Sequence, residues 1–494
     1  MHQSTAQSGQ SGRQPELIAW QQVRQRFRDI WGYDDFRSPQ GEIVRCLLAG
    51  QDALVVMPTG GGKSICFQLP ALMQTGLTLV VSPLVALMED QVRELRQKRL
   101  PAALLHSQMN KGDRHRVMDQ LRRQQVRLLY LSPETLLSPP LWSVLCAPEL
   151  LINGIILDEA HCLTQWGDTF RPAYRRLGAV RAALLAHKPA GTAIALAAFT
   201  ATADPQAQAT LQTVLQLHNP QQFLLNPYRE NLALAVQRVW TPRGRRQRLW
   251  QWAKAHRGET GLVYVRSRRG TEELAQWLTQ QGLTAIAYHA GLSAQRRRQV
   301  EAQWLSGEVP IVVCTSAFGM GINKPDCLWI AHFNPPALLS EYVQEVGRAG
   351  RDGKPAAAMM WVSEPTGWLD PTDQQLLQSF RQRGRSLQQS AQRLLRQLPE
   401  QGSIEAIAHS HKDGELALAW LHSQGAVAWV DPFHYVRCRP AHAPTSHPHT
   451  AMDIEHYIAA RGCRWQALLQ AFGFAAEARQ MRCGRCDRCQ RSRT

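Results

Sequence analysis

The sequence predicts an α/β fold in which two tandem lobes, each built on a parallel sheet, precede a small, mostly helical metal-binding subdomain. Two sets of short apolar runs alternate with helical patterns, an order typical of parallel strands joined by crossover helices. The chain has 494 residues, enough for about three domains. Near its end stands the stretch CGRCDRC (483–489), whose cysteine spacing is typical of metal ligands.

Ten apolar runs are the predicted strands of the two lobes. Each is short and is separated from the next by enough chain for a crossover. The first set lies at 52–58, 77–83, 126–133, 152–160 and 192–203, and the second at 261–267, 284–290, 309–318, 327–333 and 356–362. We expect a connection between the lobes around 226–234. Because open parallel sheets bind ligands at the carboxyl ends of their strands, the expected site is a cleft between the lobes.

Changes in composition set the predicted domain boundaries. The first residues are polar and predict a disordered tail, and the sequence after about 366 is rich in Gln and Arg. Residues 403–438 predict two short helices and a hairpin that turns at Asp431-Pro432, which is the order of a small winged-helix module; a helical spacer is the alternative. The predicted segments are 1–14 (tail), 15–225 (first lobe), 226–365 (second lobe), 366–402 (helical linker), 403–438 (winged-helix-like insertion), 439–450 (Pro- and His-rich linker) and 452–494 (metal-binding subdomain).

The chain is strongly basic, with 56 Lys and Arg against 39 Asp and Glu, and its formal charge is +17. This excess predicts attraction to a polyanion, most commonly nucleic acid, although a solvated basic surface is the simpler alternative. No apolar stretch reaches the ~18 residues of a membrane span, and the amino terminus has no apolar signal-peptide core. We therefore expect a cytoplasmic protein without a membrane partner, nucleoid-associated if bacterial, in which scattered cysteines such as Cys46, Cys66, Cys146 and Cys314 are reduced.

The stretch MPTGGGKS (57–64) predicts a phosphate-binding loop between a strand and a helix. Consecutive glycines let the backbone turn its N–H groups toward phosphate oxygens, and the helix that begins near Lys63 adds its positive end. Lys63 can reach the β- and γ-phosphates, and Ser64 can bind Mg²⁺. Met57 stands where the motif has its first glycine. A chance glycine-rich turn is the alternative, but the flanking strand and helix favour the loop.

The stretches IILDEAH and QEVGRAGRDG carry the charged groups predicted to act on phosphate. Asp158 is placed to bind Mg²⁺, and Glu159 is placed to orient or deprotonate the attacking water. Arg348 and Arg351 lie three residues apart, so one guanidinium can reach across the cleft and stabilise charge on the γ-phosphate. An exposed basic turn is the alternative. Hydrolysis would then depend on closure of the cleft, and closure would move the lobes.

In order and spacing these motifs resemble those of the RecQ family of superfamily 2 DNA helicases, over roughly residues 20–365 and again over 452–489. The matching stretches are FRDIWGYDDFRSPQGEIV (27–44, motif 0), VVSPLVALMEDQV (80–92, motif Ia), AFTATA (198–203, motif III), VYVRSRRGTEELA (263–275, motif IV), TSAFGMGINKPD (315–326, motif V) and YVQEVGRAGRDG (342–353, motif VI). The phosphate loop and DEAH resemble motifs I and II. Asn323 in motif V stands where the family usually has Asp. The resemblance implies two RecA-like lobes.

The resemblance also implies which residues contact the nucleotide and the DNA. Nucleotide contacts are expected from Arg37, Gln40, Thr59, Gly60, Gly61, Gly62, Lys63, Ser64 and Gln344. Catalytic roles are expected for Lys63, Asp158, Glu159, Arg348 and Arg351, and DNA contacts for Ser82, Trp166, Phe170 and Arg171. The amide of Gln40 would read the adenine. Thr200 and Thr202 would link hydrolysis to movement of the lobes.

The stretch HCLTQWGDTFRPAY (161–174) resembles the aromatic-rich loop with which the family senses single-stranded DNA. Trp166 and Phe170 offer faces on which bases can stack, at about 1–3 kcal/mol per base, and Arg171 adds a charge beside them. Burial of Trp166 in the core is the alternative. Asp168 stands where the family usually has His. A negative charge beside a phosphate channel leaves the efficiency of coupling between DNA binding and ATP hydrolysis open.

A tetrahedral metal site needs a fourth ligand besides Cys483, Cys486 and Cys489. The upstream candidates are Cys438, His456 and Cys463. We prefer Cys463 because it opens a helical pattern, and the helix dipole favours a thiolate there; the family's zinc subdomain, which this region resembles, has its first ligand about this far upstream. Four thiolates suit zinc, with an iron–sulfur cluster as the alternative. The metal is expected to supply folding energy and to hold a basic surface near DNA.

The function that the resemblance implies is that of a monomeric 3′→5′ DNA helicase of recombination and repair, with ATP, Mg²⁺ and Zn²⁺ as cofactors and single-stranded, forked or branched DNA as partner. Longer family members carry a winged helix and an HRDC domain after the zinc site, and we expect both to be absent because the sequence stops five residues past Cys489. The insertion at 403–438 could replace the strand-splitting hairpin. Rival hypotheses are a DNA-stimulated translocase or annealing factor with weak unwinding, a non-catalytic DNA-binding protein and an RNA helicase.

Overall fold

The computed structural model describes residues 19–58, 60–164, 171–318, 324–438 and 452–491. Two parallel sheets form its centre, which confirms the predicted pair of lobes. Each of the ten predicted apolar runs contains a strand. Three further strands of these two sheets were not predicted, and one of them lies partly inside the segment expected to be a connection.

The first lobe is built on a seven-stranded sheet whose paired strands all run parallel. Its strands are β1 (Ala53–Val56), β2 (Leu77–Val81), β3 (Ala102–Leu105), β4 (Leu128–Leu131), β5 (Ile152–Leu157), β6 (Ala195–Thr200) and β7 (Gln221–Leu224), in the order β3-β4-β2-β5-β6-β1-β7. Its helices are α1 (Trp20–Trp31), α2 (Gln40–Leu48), α3 (Lys63–Met73), α4 (Val85–Gln97), α5 (Lys111–Arg122), α6 (Pro133–Leu136), α7 (Pro139–Leu145), α8 (Val180–Leu185) and α9 (Pro205–Val214), with 3₁₀ segments η1 (Ala160–Leu163) and η2 (Pro172–Ala179). The strands β1 and β2 are buried along their whole length, as expected where helices cover both faces of a sheet.

The second lobe repeats this architecture with a six-stranded parallel sheet. Its strands are β8 (Leu232–Val239), β9 (Thr260–Tyr264), β10 (Ala285–Tyr288), β11 (Ile311–Cys314), β12 (Cys327–His332) and β13 (Ala356–Ser363), in the order β10-β11-β9-β12-β13-β8. Its helices are α10 (Pro242–Ala255), α11 (Arg268–Gln280), α12 (Ala294–Leu305) and α13 (Leu339–Val346). Strand β8 begins within the predicted connection at 226–234, so this segment enters the sheet rather than only linking the lobes.

A small module follows the second lobe and has the helix–strand–helix–helix–strand–strand order of a winged helix. Its elements are α14 (Thr372–Gln397), β14 (Gln401–Ser403), α15 (Ile404–Ser410), α16 (Gly414–Ser423), β15 (Val427–Trp429) and β16 (His434–Arg437). The three strands pair antiparallel in the order β14-β16-β15. Helix α14 contributes side chains to the same apolar cluster as α15 and α16, and strand β14 pairs with β16. The module therefore extends beyond the stretch predicted at 403–438.

The hairpin of this module lies against the first lobe. The ring of Phe433 packs edge-on against Trp142, with centroids 5.2 Å apart. A guanidinium N–H of Arg176 donates to the carbonyl of Pro432 over 3.3 Å. Ala179 of η2 also belongs to the apolar cluster of the module. The tip of the hairpin is therefore an interface with the first lobe.

The last subdomain packs on the second lobe and shares its core. Its helices are α17 (Met452–Ala459), α18 (Arg464–Ala471), α19 (Ala475–Arg479) and α20 (Asp487–Arg491). Trp465 is fully buried, donates its indole N–H to the carbonyl of Leu232 over 3.0 Å and packs edge-on against Tyr228. The hydroxyls of Tyr457 and Tyr342 lie 3.2 Å apart, which connects α17 to α13. The apolar side chains of the subdomain thus complete the core of its neighbour.

Candidate nucleotide cleft and metal centre

The glycine-rich loop connects β1 to α3 through two left-handed residues. Gly60 and Gly62 have φ values of 85° and 78°, conformations that an L side chain rarely adopts. Gly62 precedes the first residue of α3, so Lys63 opens the helix. The ammonium of Lys63 donates to the carbonyl of Met57 over 3.1 Å. The amino end of α3 and the cation of Lys63 therefore face the same loop, which is the arrangement that anions prefer.

Two glutamines hold this loop from neighbouring helices. The amide of Gln40 donates to the carbonyl of Gly61 over 2.9 Å and accepts from the backbone N–H of Arg37 over 3.0 Å. A Cβ at Gly62 would strike the same amide and displace it, and the backbone conformation of Gly62 itself favours glycine. The amide of Gln91, in α4, donates to the hydroxyl of Ser64 over 3.1 Å. Gln91 was not singled out from the sequence, although it lies in the motif Ia stretch.

Two carboxylates follow the buried strand β5 at its carboxyl end. Asp158 is only 4% exposed, and burial together with the charge of Glu159 raises its pKa to about 7. The backbone N–H of Glu159 donates to Asp158 over 3.1 Å. Burial alone would raise the pKa of Glu159, but a hydrogen bond with His161 and the charges of Lys63, His161 and Arg348 lower it to about 2. The pair therefore combines one readily protonated carboxyl group with one that stays ionised.

Glu159 adopts a left-handed backbone conformation, with φ of 51°. Such a conformation is uncommon for a residue with a side chain and is often found at functional sites. It allows the chain to turn directly from β5 into η1 and brings His161 within 3.2 Å of the Glu159 carboxylate. Burial would lower the pKa of His161, but the sulfur of Cys162 and the carboxylate of Glu159 raise it to about 10.

A path of hydrogen bonds leads from this carboxylate to the second lobe. The Nδ1 atom of His161 lies 3.2 Å from the hydroxyl of Thr200. The backbone N–H of Thr202 donates to that hydroxyl over 3.3 Å. The amide of Gln344, in α13, donates to the hydroxyl of Thr202 over 2.9 Å. The predicted motifs II, III and VI therefore meet in one network that crosses the cleft, and His161 is a member that the sequence analysis missed.

The two predicted arginines follow α13 in the second lobe, and Arg348 lies near Glu159. Arg348 is 8% exposed and is close enough for its charge to lower the pKa of Glu159. Burial and the charges of Arg348 and Arg229 lower the pKa of Arg351 to about 10. Arg229 fixes this turn by donating to the carbonyls of Gly347 and Ala349 over 3.0 and 2.8 Å. Arg229 lies in the predicted connection, and no local pattern in the sequence pointed to this contact.

The predicted DNA-contacting residues are only partly described. Trp166 and Phe170 lie outside the described residues, as do Asp168, Asn323 and Thr59. The guanidinium of Arg171 donates to Glu134 over 3.2 Å. Ser82 is 1% exposed, and its hydroxyl has no hydrogen-bond partner within the described part of the chain. In this structure, therefore, Ser82 does not lie on an exposed surface.

Four cysteine sulfurs come together where the metal site was predicted. The Sγ atoms of Cys463, Cys483, Cys486 and Cys489 all lie within 4.8 Å of one another. Two of the separations are 4.0 Å, close to the edge of about 3.8 Å that a tetrahedron with zinc–sulfur bonds of about 2.3 Å would have. Neither Cys438 nor His456 belongs to this group, which favours the preferred fourth ligand.

The surroundings of the sulfurs fit a tetrathiolate site. Cys463 stands directly before α18, where the helix dipole favours negative charge. Four backbone N–H groups point at the sulfurs over 3.4 Å each and can stabilise thiolates, and their donors are Arg464, Cys483, Cys486 and Cys489. Arg464 is 1% exposed and pairs with Asp487 over 2.9 Å, which ties α18 to α20 around the cluster.

Comparison with known proteins assigns the class of the two lobes. Residues 37–211 match the DEAD/DEAH box helicase family, and residues 244–353 match the helicase conserved C-terminal domain family. The RNA-bound Dbp5 structure from S. cerevisiae aligns with a TM-score of 0.57 and 14% identity, covering 71% of this chain and 90% of its own, which establishes the fold alone. The fold and the site thus define a two-lobed helicase.

Similar sequences identify the family within this class of helicases. The chain is 52% identical over 469 residues to the ATP-dependent DNA helicase RecQ of Synechocystis sp., covering 94% of this chain and 97% of that protein. It is 39% identical over 344 residues to RecQ of Haemophilus influenzae, covering 69% of this chain and 54% of that protein. The chain belongs to the RecQ family of ATP-dependent DNA helicases. Among the described residues, no helix is long and apolar enough to cross a membrane.

Proposed function

We propose that this helicase uses ATP hydrolysis in the cleft to move 3′→5′ along single-stranded DNA and to separate forked or branched duplexes during DNA recombination and repair. The observation that carries the proposal is the hydrogen-bond network from Glu159 through Thr202 to Gln344. This network joins the group next to the phosphate loop to the opposite lobe. A change at the nucleotide would therefore alter a contact between the lobes, as a motor requires.

In this proposal, the nucleotide binds along the loop between β1 and α3. Lys63, Thr59 and the N–H groups of Gly60, Gly61 and Gly62 hold the phosphates. Gln40 and Arg37 lie next to this loop and would contact the base. Ser64 and Asp158 offer the oxygen ligands that Mg²⁺ prefers, and the bound ion would neutralise phosphate charge.

Glu159 is proposed to orient or deprotonate the attacking water. Its low pKa keeps the carboxylate ionised, and His161 holds it in place. An ionised carboxylate accepts a hydrogen bond from water at neutral pH, and because so low a pKa makes it a weak proton acceptor, orientation of the water is its main proposed role. Arg348 and Arg351 would stabilise the negative charge on the γ-phosphate when the lobes close. Both arginines belong to the second lobe, whereas the phosphate loop belongs to the first. Turnover therefore requires both lobes.

DNA is proposed to bind across the lobes with Trp166, Phe170, Arg171 and Ser82 among its contacts. Support comes from the family assignment and from the +17 charge of the chain. Ser82 would have to become accessible on binding, because it is buried in this structure. Phosphate contacts make DNA affinity fall with rising salt, so a steep salt dependence of binding is expected.

A second candidate is a DNA-stimulated translocase with weak unwinding. One observation favours it: the hairpin tip at Asp431-Pro432 packs against Arg176 and Trp142 of the first lobe. In this position the hairpin does not project into solvent as a wedge between strands. The 403–438 insertion then braces the first lobe and does not act as a strand-splitting hairpin.

One experiment separates the two candidates. ATP turnover and strand separation are measured on the same forked duplex, with the Lys63→Ala variant as the negative control. The first proposal expects ATP-dependent strand separation that Lys63→Ala abolishes. Strong DNA-stimulated turnover without strand separation would establish the second candidate instead.

A further inference from the structure

Two tryptophans that follow strands of the second lobe are largely exposed to solvent. Trp368 is 89% exposed and Trp240 is 63% exposed, the two highest values among the Trp, Tyr and Phe side chains of the described residues. Leu369, next to Trp368, is 50% exposed. Tryptophan normally buries most of its surface, and exposed tryptophans are enriched at the centres of binding surfaces.

The topology brings these two tryptophans to one corner of the sheet. Strands β8 and β13 pair in parallel up to Val239 and Ser363. Trp240 directly follows Val239, and the turn that contains Trp368 directly follows Ser363. Both therefore leave the sheet at its carboxyl edge from adjacent strands, which lie about 4.8 Å apart. This is the edge at which open α/β sheets bind ligands.

The backbone that carries the tryptophans is firmly held. Arg245, in α10, is 1% exposed and donates to Asp370 over 2.9 Å, to Asp373 over 2.9 Å and to the hydroxyl of Ser363 over 2.7 Å. The carboxylate of Glu364 accepts from the backbone N–H groups of Thr366 over 2.6 Å and Leu369 over 3.0 Å. A rigid presentation lowers the entropy cost of binding.

The outward charges at this corner are positive. Arg238, Arg243 and Arg246 are exposed, and α10 contains no acidic residue. The acidic residues of the turn are all engaged, because Glu364 bonds the turn while Asp370 and Asp373 pair with Arg245. The corner thus presents two indole rings and three guanidinium groups with no free carboxylate among them.

We propose that this corner, formed by Trp240, Trp368, Arg238, Arg243 and Arg246, is a second binding site for single-stranded DNA outside the cleft. Indole faces stack on unpaired bases, and the arginines attract the phosphates between them. Duplex DNA offers no exposed base faces for such stacking. The site rests on the proposed DNA-translocating function and extends its footprint, so that a strand bound in the cleft continues along the carboxyl edge to this corner.

The test measures how DNA affinity depends on strand length in the presence and absence of the two indole rings. Wild type and the Trp240→Ala/Trp368→Ala variant are titrated with oligothymidylates of about 10 and about 30 nucleotides, since single-strand sites commonly span about 4–16 nucleotides per binding unit. We expect the variant to bind the long strand roughly tenfold or more weakly and the short strand with unchanged affinity. The rate of ATP turnover at saturating DNA should not change, because no residue of the cleft is altered.

Matched variants separate stacking from simple apolar contact. Trp240→Phe/Trp368→Phe keeps a ring face and should bind the long strand within about threefold of wild type, whereas Trp240→Leu/Trp368→Leu should bind it as weakly as the alanine variant. Arg243→Ala/Arg246→Ala should lower the salt dependence of long-strand binding by about two phosphate contacts. Leu305→Ala removes an exposed apolar side chain elsewhere in this lobe and should change nothing.

Two results would overturn the proposal. Equal long-strand affinity of wild type and Trp240→Ala/Trp368→Ala would show that the corner does not bind DNA. The corner would instead be a contact between copies of the chain if sedimentation showed the wild type as an oligomer and the alanine variant as a monomer. In that case the DNA affinity of the variant would be unchanged. A failure of the proposed function is distinguishable, because wild-type ATP turnover would then not respond to DNA of either length.

Discussion

The two lobes have the same parallel-sheet architecture but carry different parts of the nucleotide site. The first lobe supplies the glycine-rich loop with Lys63 and the buried carboxylates Asp158 and Glu159. The second lobe supplies Gln344 and the arginine turn, which is the turn that carries Arg348 and Arg351. Neither lobe is sufficient in the proposed mechanism, because the groups proposed to bind phosphate and those proposed to stabilise its charge lie on opposite sides of the cleft.

The lobes also differ in how the last part of the chain braces them. The second lobe shares its core with the last subdomain, which contains the four cysteines of the metal site. The indole N–H of Trp465 in this subdomain donates to the carbonyl of Leu232. The first lobe is contacted by the small module that runs from α14 to β16, whose apolar cluster includes Ala179 of the first lobe. One brace depends on a metal site and the other on apolar packing.

Substitutions on the two sides of the cleft should impair different steps, namely nucleotide binding and turnover. Lys63→Ala should abolish both nucleotide binding and turnover, because it removes the cation of the phosphate loop. Arg351→Ala should reduce turnover by about 10³-fold while nucleotide binding persists, since its charge is needed mainly in the transition state. A fluorescent-nucleotide titration beside an ATPase assay measures both. Loss of binding in Arg351→Ala equal to that in Lys63→Ala would contradict the division of roles.

Loss of the metal should disturb the second lobe selectively. We expect Cys486→Ser to lose its zinc and to destabilise the last subdomain and β8 by about 4 kcal/mol or more, because the metal and the shared core act together. Hydrogen exchange should show faster opening of β8 and α18, with β1 and β5 unchanged. Cys438→Ser is the matched control and should keep one zinc per chain. Full zinc content in Cys486→Ser would contradict the assignment.

Acid should loosen the brace of the first lobe. His422, in α16, has a pKa lowered to about 4 by burial and by the charge of Arg175, against about 6.5 for an exposed histidine. Because the folded-state pKa is depressed, the stabilisation is complete above about pH 6.5 and is lost as the pH falls toward 4, up to about 3 kcal/mol. Hydrogen exchange of α16 at pH 7.5 and 5.0 measures this. His422→Gln should remove the pH difference, and its persistence would contradict the account.

The smallest effect is expected where the lobes touch. Gln344→Ala removes the hydrogen bond to Thr202, worth about 1 kcal/mol, and should lower kcat about fivefold. The KM for ATP should stay unchanged, because the amide is engaged with Thr202 in this structure. Thr202→Val should have a similar effect, and the double variant should add little. A raised KM in Gln344→Ala would show instead that this amide contacts the nucleotide.

The features that could be predicted from the sequence are those set by local pattern. The buried strands, the glycine-rich loop and the DEAH stretch each combine an apolar strand with a defined turn, so a short window contains the whole signal. The same holds for Cys463, which the start of a helical pattern singled out. Strand β7 escaped prediction because its sequence, QQFL, is half polar and its residues are mostly exposed at the edge of the sheet.

The features that could not be predicted depend on contacts between distant parts of the chain. Arg229 supports the arginine turn, yet nothing in its own neighbourhood distinguishes it from a connection. The hairpin at 431–432 was predicted, but its contact with Trp142 was not, because periodicity gives no information about which surface covers a turn. The segments that carry Trp240 and Trp368 leave the sheet side by side only because β8 pairs with β13.

If the cleft is a motor that separates DNA strands, ATP hydrolysis and strand separation must occur together. Strand separation of a forked duplex is followed with ATP and Mg²⁺ for wild type and Lys63→Ala, with ATP turnover recorded in the same reaction. The account predicts that wild type separates the fork only when ATP is hydrolysed and that Lys63→Ala does neither. DNA-stimulated hydrolysis by the wild type with the fork left intact would contradict it.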